Sequence, residues 1–244
     1  MRKRTDRHIL RLVAATTSPD HRFMTGNQLL TPMFVDDGDT GLLIAGLRRY
    51  NLFTSVFFLG RHRALLTELV TAAGVRPGDH VLDIGCGPGK LVRALGVATG
   101  STGAAVGVDP SAAAIDDNRR RDRTPHHRYE QGPAQRLPFG DAEFDVVTST
   151  FVMHHIPEQH RAEALAQMWR VLRPGGRLLL ADASPSPRMR RLLAPMFGGF
   201  DAVDIRRYRD QLAAIGFTEL GYTQSRYQTG VLTCVKPASG AAQR

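Results

Sequence analysis

Short apolar runs alternate with segments of helical periodicity between residues 80 and 235. The apolar runs predict strands over residues 80–84, 104–108, 127–130, 144–149 and 177–181. The periodic segments predict four helices. The first lies over residues 89–98, the second begins after Ser111 as its N-cap, and the others lie over 158–172 and 208–215. Pro174-Gly175-Gly176 is expected to stop the third helix. Residues 217–227 and 231–235 are predicted to form a closing antiparallel pair. We therefore predict an α/β fold with a doubly wound, mostly parallel seven-stranded sheet whose last strand is antiparallel.

The first 60 residues do not continue this alternation. Tyr50, Phe53, Phe57 and Phe58 have the spacing of one helix face, which predicts packing on the core or a lid over a ligand crevice. We divide the chain into a basic, partly flexible N-terminal extension over residues 1–46 and a domain over 47–244, which opens with a helical segment over 47–75.

Composition limits the class of protein. At 244 residues, with 42% hydrophobic and 23% charged residues, the chain fits one globular domain. No apolar run approaches the roughly 18 residues that a membrane span requires, so we expect none. Neither Cys86 nor Cys234 has a partner at metal-ligand spacing. We therefore expect neither a metal site nor a disulfide framework, and a cytoplasmic location.

The net charge of +9 invites a nucleic-acid interpretation. Nearly all of this charge is arginine spread along the chain, since only Lys3, Lys90 and Lys236 are lysines. The one dense run, from Arg119 to Arg123, follows a predicted helix and is expected to be a solvated face. We therefore expect no nucleic-acid partner.

Three glycines separated by single residues follow the first predicted strand and its Asp83: Gly85, Gly87 and Gly89. Glycine permits a tight backbone turn and lets a ligand approach the free amides of a helix N-terminus. Dinucleotide-binding loops carry a further glycine three residues after the second, where this chain has Lys90. The loop therefore predicts a nucleotide-like ligand without a pyrophosphate and argues against a nicotinamide oxidoreductase.

Asp109 ends the second predicted strand, where a carboxylate can accept hydrogen bonds from ribose hydroxyls. In sheets of this kind the ligand lies outside the carboxyl ends of the strands. The loops that should meet there also hold Pro133-Ala134-Gln135 and Thr150. The pattern thus predicts a ribose-bearing ligand at this edge.

With these motifs, the chain resembles the class I S-adenosylmethionine-dependent methyltransferases over residues 47–236. The matching motifs, in family order, lie at residues 81–89, 106–109, 132–139, 144–150 and 170–178. Within the class it is most similar to the ubiquinone and menaquinone biosynthesis methyltransferases, through Tyr50-Asn51, Gly60-Arg61-His62-Arg63 and Thr229-Gly230-Val231. The resemblance implies a Rossmann-like sheet with an N-terminal helical cap segment, and S-adenosyl-L-methionine as the cofactor.

The resemblance also implies which residues contact the cofactor. They are Asp83, Gly85, Gly87, Pro88, Gly89, Asp109, Ala134, Gln135 and Thr150. Asp83 would orient the loop and reach the cofactor amino group, while the glycines would line the methionine portion. Asp109 would hold the ribose, Ala134 would offer its amide to the adenine, and Thr150 would lie beside the sulfonium.

The chain departs from the family pattern at two places. The family usually has Asp or Asn before the alanine to bind the adenine amino group, but Pro133 has neither a polar side chain nor an amide hydrogen. Gln135 is the candidate substitute. The predicted substrate lid over residues 184–204 is also shorter than in quinone-type enzymes, which argues against a polyprenyl substrate.

His154 and His155 follow the fourth predicted strand at the rim of the crevice, and imidazole titrates in a useful range for proton transfer. Either one is a candidate general base if the acceptor must lose a proton. The alternative is that His155 belongs to the turn and hydrogen-bonds the backbone. His126 and His127 lie at the start of the third strand and are predicted to be structural.

The leading hypothesis is transfer of a methyl group, by in-line displacement, to a carbon or oxygen of a small apolar or aromatic acceptor. A candidate apolar wall consists of Phe53, Phe57, Met153, Met189, Met196 and Phe197, any of which could equally be core. The alternatives are an RNA or protein methyltransferase and a catalytically silent cofactor-binding module. The sequence leaves the acceptor and the oligomeric state open, a homodimer included.

Overall fold

The computed structural model describes residues 34–46, 49, 61–184 and 204–238. The strands are β1 Phe34–Asp37, β2 Gly41–Ile44, β3 His80–Ile84, β4 Ala104–Asp109, β5 His127–Gln131, β6 Phe144–Thr150, β7 Leu172–Ala183, β8 Thr218–Ser225 and β9 Thr229–Val235. The helices are α1 His62–Ala72, α2 Lys90–Thr99, α3 Ala112–Arg121, α4 Glu158–Val171 and α5 Arg209–Ile215, with a 3₁₀ turn over Ile205–Tyr208.

Seven strands form one sheet in the order β5-β4-β3-β6-β7-β9-β8. The pairs from β5 to β7 are parallel, and β9 runs antiparallel to both β7 and β8. The predicted fold class is therefore confirmed, including the antiparallel last strand. The strand order reverses beside β3, which has β4 on one side and β6 on the other, and this is where such sheets bind ligands.

The core has two layers because neighbouring residues of a strand point to opposite faces of the sheet. On β3, Val81 joins the apolar side chains of α1 and α2, whereas Leu82 joins those of α4 and α5. Both side chains are fully buried. Burial on both faces explains why the central strands are almost continuously apolar.

The structure corrects the boundary between α4 and the strand after it. We predicted that Pro174-Gly175-Gly176 separates them, but β7 already begins at Leu172. Leu172 pairs with Phe144 and the next registered pair is Arg177 with Val146, so the Pro-Gly-Gly segment forms an irregularity inside the strand. A bulge accommodates a proline that lacks a donor, and buried Leu172 anchors the strand before it.

The N-terminal part contains a feature that the sequence analysis missed. Strands β1 and β2 pair antiparallel, with Asp37 opposite Gly41, inside the extension in which the sequence analysis identified no strand. Helix α1 agrees with the predicted helical segment over residues 47–75. Residues 1–33, the aromatic residues Tyr50, Phe53, Phe57 and Phe58, and residues 185–203 of the predicted lid lie outside the described residues.

Among the helices that the structure describes, none combines the length and the apolar composition that crossing a bilayer demands.

Candidate active site

A cleft of about 610 Å³, including its open mouth, lies at the carboxyl ends of β3, β4 and β6. Its lining contains predicted cofactor residues from four separate loops: Gly85, Asp109, Ala134, Gln135 and Thr150. His155 lines it as well, whereas Asp83, Gly87, Pro88, Gly89 and His154 adjoin the cleft without being part of that lining. The strand order thus brings the predicted loops to one place.

The glycine loop has a backbone that side chains would disrupt. Gly85, Gly87 and Gly89 have φ values of +72°, +47° and +68°. A Cβ on Gly85 would lie 2.2 Å from Val152 Cγ2, and one on Gly89 would lie 2.6 Å from Asn118 Oδ1. Positive φ and close neighbours together explain why glycine occupies these positions. The result is a bare backbone turn at the N-terminus of α2.

Asn118 holds this loop from α3, and sequence reasoning missed it. Its Nδ2 donates a hydrogen bond of 2.7 Å to the Gly87 carbonyl oxygen, and the residue is 2% exposed. The available signal was a polar residue on the otherwise apolar face of α3, three positions after Ile115. Such a residue needs a buried partner.

The Asp109 carboxylate joins the glycine loop to the N-terminus of α3. Oδ2 accepts from the Gly87 amide at 2.8 Å, and Oδ1 accepts from the Ser111 amide at 2.8 Å. Burial raises the pKa of Asp109, and these two hydrogen bonds partly offset the rise. Each oxygen retains acceptor capacity toward the cleft, as a ribose ligand requires.

Asp83 is a buried acid directly before the loop. It is 2% exposed and its Oδ1 accepts from Thr148 Oγ1 at 2.8 Å. Burial raises its pKa to about 7, opposed by the Thr148 hydrogen bond and assisted by the negative charge of Asp109. A carboxylate in this position would gain from a cationic ligand nearby.

We expect the Asp83 carboxyl to make the ligand-free protein less stable as the pH rises from about 4 to about 7. The unfolded chain loses this proton near pH 3.8, whereas the folded protein retains it up to about 7. Replacement by Asn removes the buried charge, so D83N should exceed the wild type in free energy of unfolding at pH 8, by on the order of 4 kcal/mol. At pH 5, where the unfolded chain has largely lost this proton but the folded protein retains it, the difference should be less than half as large.

Urea unfolding at both pH values measures this difference. Asp141→Asn is the matched control, because Asp141 is an exposed carboxylate, and it should show no comparable dependence on pH. An equal D83N effect at pH 5 and pH 8 would contradict the expectation.

The β1-β2 hairpin forms one wall of the cleft through Thr40 and Ile44. The Ile44 carbonyl oxygen accepts from Ser111 Oγ at 2.7 Å. A Cβ on Gly41, where φ is +85°, would lie 1.9 Å from the His155 carbonyl oxygen, so the hairpin packs closely on this turn. The sequence signal was Asp37-Gly38 between apolar pairs, a common hairpin pattern.

Gln135 connects the hairpin to the loop after β5. Its Nε2 donates to the Asp39 carbonyl oxygen at 2.8 Å, while the residue itself lines the cleft. Ala134, beside it, is 7% exposed. The side-chain amide group of Gln135 is therefore fixed by the hairpin, with Oε1 as its remaining acceptor.

His154 forms a pair with Asp182, which the sequence analysis did not single out. Nδ1 of His154 lies 2.8 Å from Asp182 Oδ2, and the carboxylate is completely buried at the end of β7. Because a carboxylate accepts, the contact places the proton on Nδ1 and leaves Nε2 as the basic nitrogen. The imidazole is 27% exposed, which allows contact with a ligand.

His155 has a different environment. Its backbone amide donates to the Val152 carbonyl oxygen at 2.8 Å within the turn. Burial lowers its pKa to about 3, and neighbouring His154, at 4.0 Å between ring centroids, contributes. A ring with so low a pKa is a weak base at neutral pH, so the two candidate bases are not equivalent.

The other candidates lie away from the cleft or outside the described residues. His127 is bound to Asp122 at 2.8 Å and is 5% exposed at the amino end of β5, in line with a structural role. Met153 is 2% exposed and packs in the core. This is the second of the two roles that we considered for it, the first being part of an apolar wall around the acceptor. The remaining proposed wall residues, Phe53, Phe57, Met189, Met196 and Phe197, lie outside the described residues.

The arginines in the last turn of α3, which the sequence analysis placed after a helix, are engaged in ion pairs at the surface. Arg120 and Arg121 both contact Asp117, at 3.1 and 2.9 Å, and Arg119 contacts Glu130 at 3.1 Å. Their charge is partly compensated by these partners, which agrees with a solvated face.

Comparison with known proteins places this fold and site in a family. Residues 81–176 match the methyltransferase domain family. A demethylmenaquinone methyltransferase of Halalkalibacterium halodurans is 30% identical over 219 residues, covering 80% of this chain and 85% of the relative. A ubiquinone/menaquinone biosynthesis C-methyltransferase of Ectopseudomonas mendocina is 37% identical over 140 residues, covering 56% of this chain and 54% of the relative.

The chain therefore spans about half the length of some curated relatives that it matches. Among solved structures, a methyltransferase of Thermotoga maritima superposes with a TM-score of 0.58 at 18% identity, over 78% of this chain and 98% of the other. At that identity the likeness concerns the fold alone.

Proposed function

Because the chain belongs to the class I S-adenosylmethionine-dependent methyltransferases of the ubiquinone and menaquinone biosynthesis type, we propose that it methylates a small acceptor. The acceptor in this proposal is an aromatic compound with an ionisable hydroxyl, methylated on carbon or oxygen. The observation that carries this choice is the buried Asp182 carboxylate that holds His154 beside the cleft.

The residues of the cleft fit S-adenosylmethionine. The positive-φ glycine loop is a tight turn without side chains at the N-terminus of α2, and Asp109 offers carboxylate oxygens at the end of β4. The negative charges of Asp83 and Asp109 suit a ligand with a positive sulfur and an amino group. Gly85, Gly87, Pro88 and Gly89 would hold its methionine portion, and Ala134 and Gln135 its base.

When bound, the cofactor supplies a methyl group on a positively charged sulfur, so its leaving group is already activated. The chain then mainly positions the acceptor, which can accelerate such a reaction greatly. Thr150, at the end of β6, would line the point of transfer. His154 would take the proton of the acceptor hydroxyl at Nε2, while Asp182 keeps the ring oriented and stabilises its positive charge.

The relatives suggest the chemical class of the acceptor. Their names specify C-methylation in ubiquinone/menaquinone biosynthesis and methylation of demethylmenaquinone. The short segment over residues 184–204 favours an acceptor without a long polyprenyl chain. A cytoplasmic location, a homodimer and the absence of a nucleic-acid partner stay predictions.

Mass spectrometry of a host metabolite extract incubated with methyl-labelled S-adenosylmethionine tests the proposal. We expect a labelled aromatic product that wild-type protein forms and H154A protein does not. If the cofactor stabilises the protein against heat but no product forms across a broad acceptor panel, the chain is a silent binding module. Labelled RNA or protein would redirect the assignment to macromolecular methylation.

A further inference from the structure

The loop after β5, which we propose to bind the adenine, lacks the polar side chain that the resemblance leads us to expect directly before Ala134. Pro133 precedes Ala134 and has neither a polar side chain nor an amide hydrogen. Its carbonyl oxygen accepts from the Arg136 amide at 3.1 Å. An adenine amino group placed beside Ala134 therefore finds no side-chain acceptor at position 133, and a side chain of another element can supply one.

Thr40, in the turn of the β1-β2 hairpin, has such an acceptor. Its Oγ1 is buried and makes no hydrogen bond within the part of the chain that the structure describes. The residue lines the cleft together with Ala134 and Gln135. A buried hydroxyl without a partner is unfavourable, and a ligand that pairs with it removes that cost.

The hairpin turn is held at the position that this role requires. The carbonyl oxygen of Asp39, one residue before Thr40, accepts from Gln135 Nε2 at 2.8 Å. Gly41, one residue after it, packs so closely on the His155 carbonyl that no Cβ would fit. The turn itself is closed by the Thr40 amide, which donates to the Asp37 carbonyl oxygen at 3.1 Å. The backbone on both sides of Thr40 is thus held against the loops that line the cleft.

We propose that Thr40 Oγ1, with Gln135 Oε1 beside it, accepts hydrogen bonds from the adenine amino group and replaces the contact that Pro133 cannot make. This inference rests on the proposed cofactor. It assigns recognition of the base to the N-terminal hairpin, outside the glycine loop and the strands that hold the rest of the ligand.

Isothermal titration calorimetry with two ligands tests the assignment: S-adenosylhomocysteine, and its analogue with hydrogen in place of the 6-amino group, which offers Thr40 neither a donor nor an acceptor. Wild-type protein should prefer the amino compound. Thr40→Val, of nearly the same shape, should bind S-adenosylhomocysteine about tenfold more weakly. It should bind the analogue without the amino group at least as well as the wild type does. Thr40→Ser, which keeps the hydroxyl, is the matched control and should retain the preference.

Three results would overturn the inference. If T40V keeps the full preference for the ligand with the 6-amino group, the Thr40 hydroxyl does not recognise that group. If T40V loses affinity for both ligands equally, Thr40 serves only to seat the hairpin. If wild-type protein binds neither ligand, the proposed cofactor itself fails, which separates that failure from the first two. Circular dichroism of each variant verifies that the fold is intact.

Discussion

Replacement of His154 with Ala is expected to lower kcat by two to four orders of magnitude, the usual range for loss of a general base. Affinity for S-adenosylmethionine should not change, because His154 is outside the lining of the cleft that would hold the cofactor. Steady-state kinetics with the identified acceptor, together with calorimetry of cofactor binding, measures both quantities. Full activity of H154A would reject the base assignment.

Two further variants sharpen this test. Asp182→Asn should also lower kcat strongly, because an amide can donate to Nδ1 and so place the proton on the wrong nitrogen. His160→Ala is the matched control: His160 lies 3.2 Å from Glu163 and is 28% exposed, close to the value for His154, but it lies on α4 outside the cleft lining. Its replacement should leave kcat unchanged.

Replacement of Asp109 with Ala is expected to weaken S-adenosylmethionine binding by at least tenfold. The change removes the charged hydrogen bonds that we propose for the ribose, and it also leaves the Gly87 and Ser111 amides without their acceptor. Isothermal titration calorimetry measures the affinity. Unchanged affinity would refute the ribose assignment.

Asp117→Ala provides the comparison for Asp109. Asp117 lies on α3, eight residues further along the chain, and pairs with Arg120 and Arg121 at the surface. Its loss removes a carboxylate from the same region without touching the cleft, so cofactor affinity should stay at the wild-type value. Asp109→Asn, which keeps one acceptor oxygen, should fall between the wild type and the Ala variant.

The sheet and the cofactor end of the cleft were predictable from sequence because local signals specify them. Gly85, Gly87 and Gly89 indicate a tight backbone turn, and Asp109 ends a short apolar run of the length and composition typical of a buried strand. Both signals lie within a few residues of the structure that they form. Parallel topology then brings the loops together without further information.

The remaining site features depend on partners that are distant in the sequence. Asn118 meets Gly87 across 31 residues, and Asp182 meets His154 across 28. The hairpin turn at Thr40 meets Gln135 across roughly a hundred positions. The neighbouring residues in the sequence form no motif that identifies the partner. The role of each residue can therefore be assigned only when the position of its partner in space is known.

The strand order divides the cleft into two halves that come from different parts of the chain, one before and one after the connection between β5 and β6. The glycine loop follows β3, Asp109 ends β4 and the Ala134-Gln135 loop follows β5, whereas His154 follows β6 and Asp182 lies near the end of β7. Crossover from one half to the other occurs once, between β5 and β6. A chimaera joined within residues 136–143 would therefore take the glycine loop, Asp109 and the Ala134-Gln135 loop from one parent and the His154–Asp182 pair from the other.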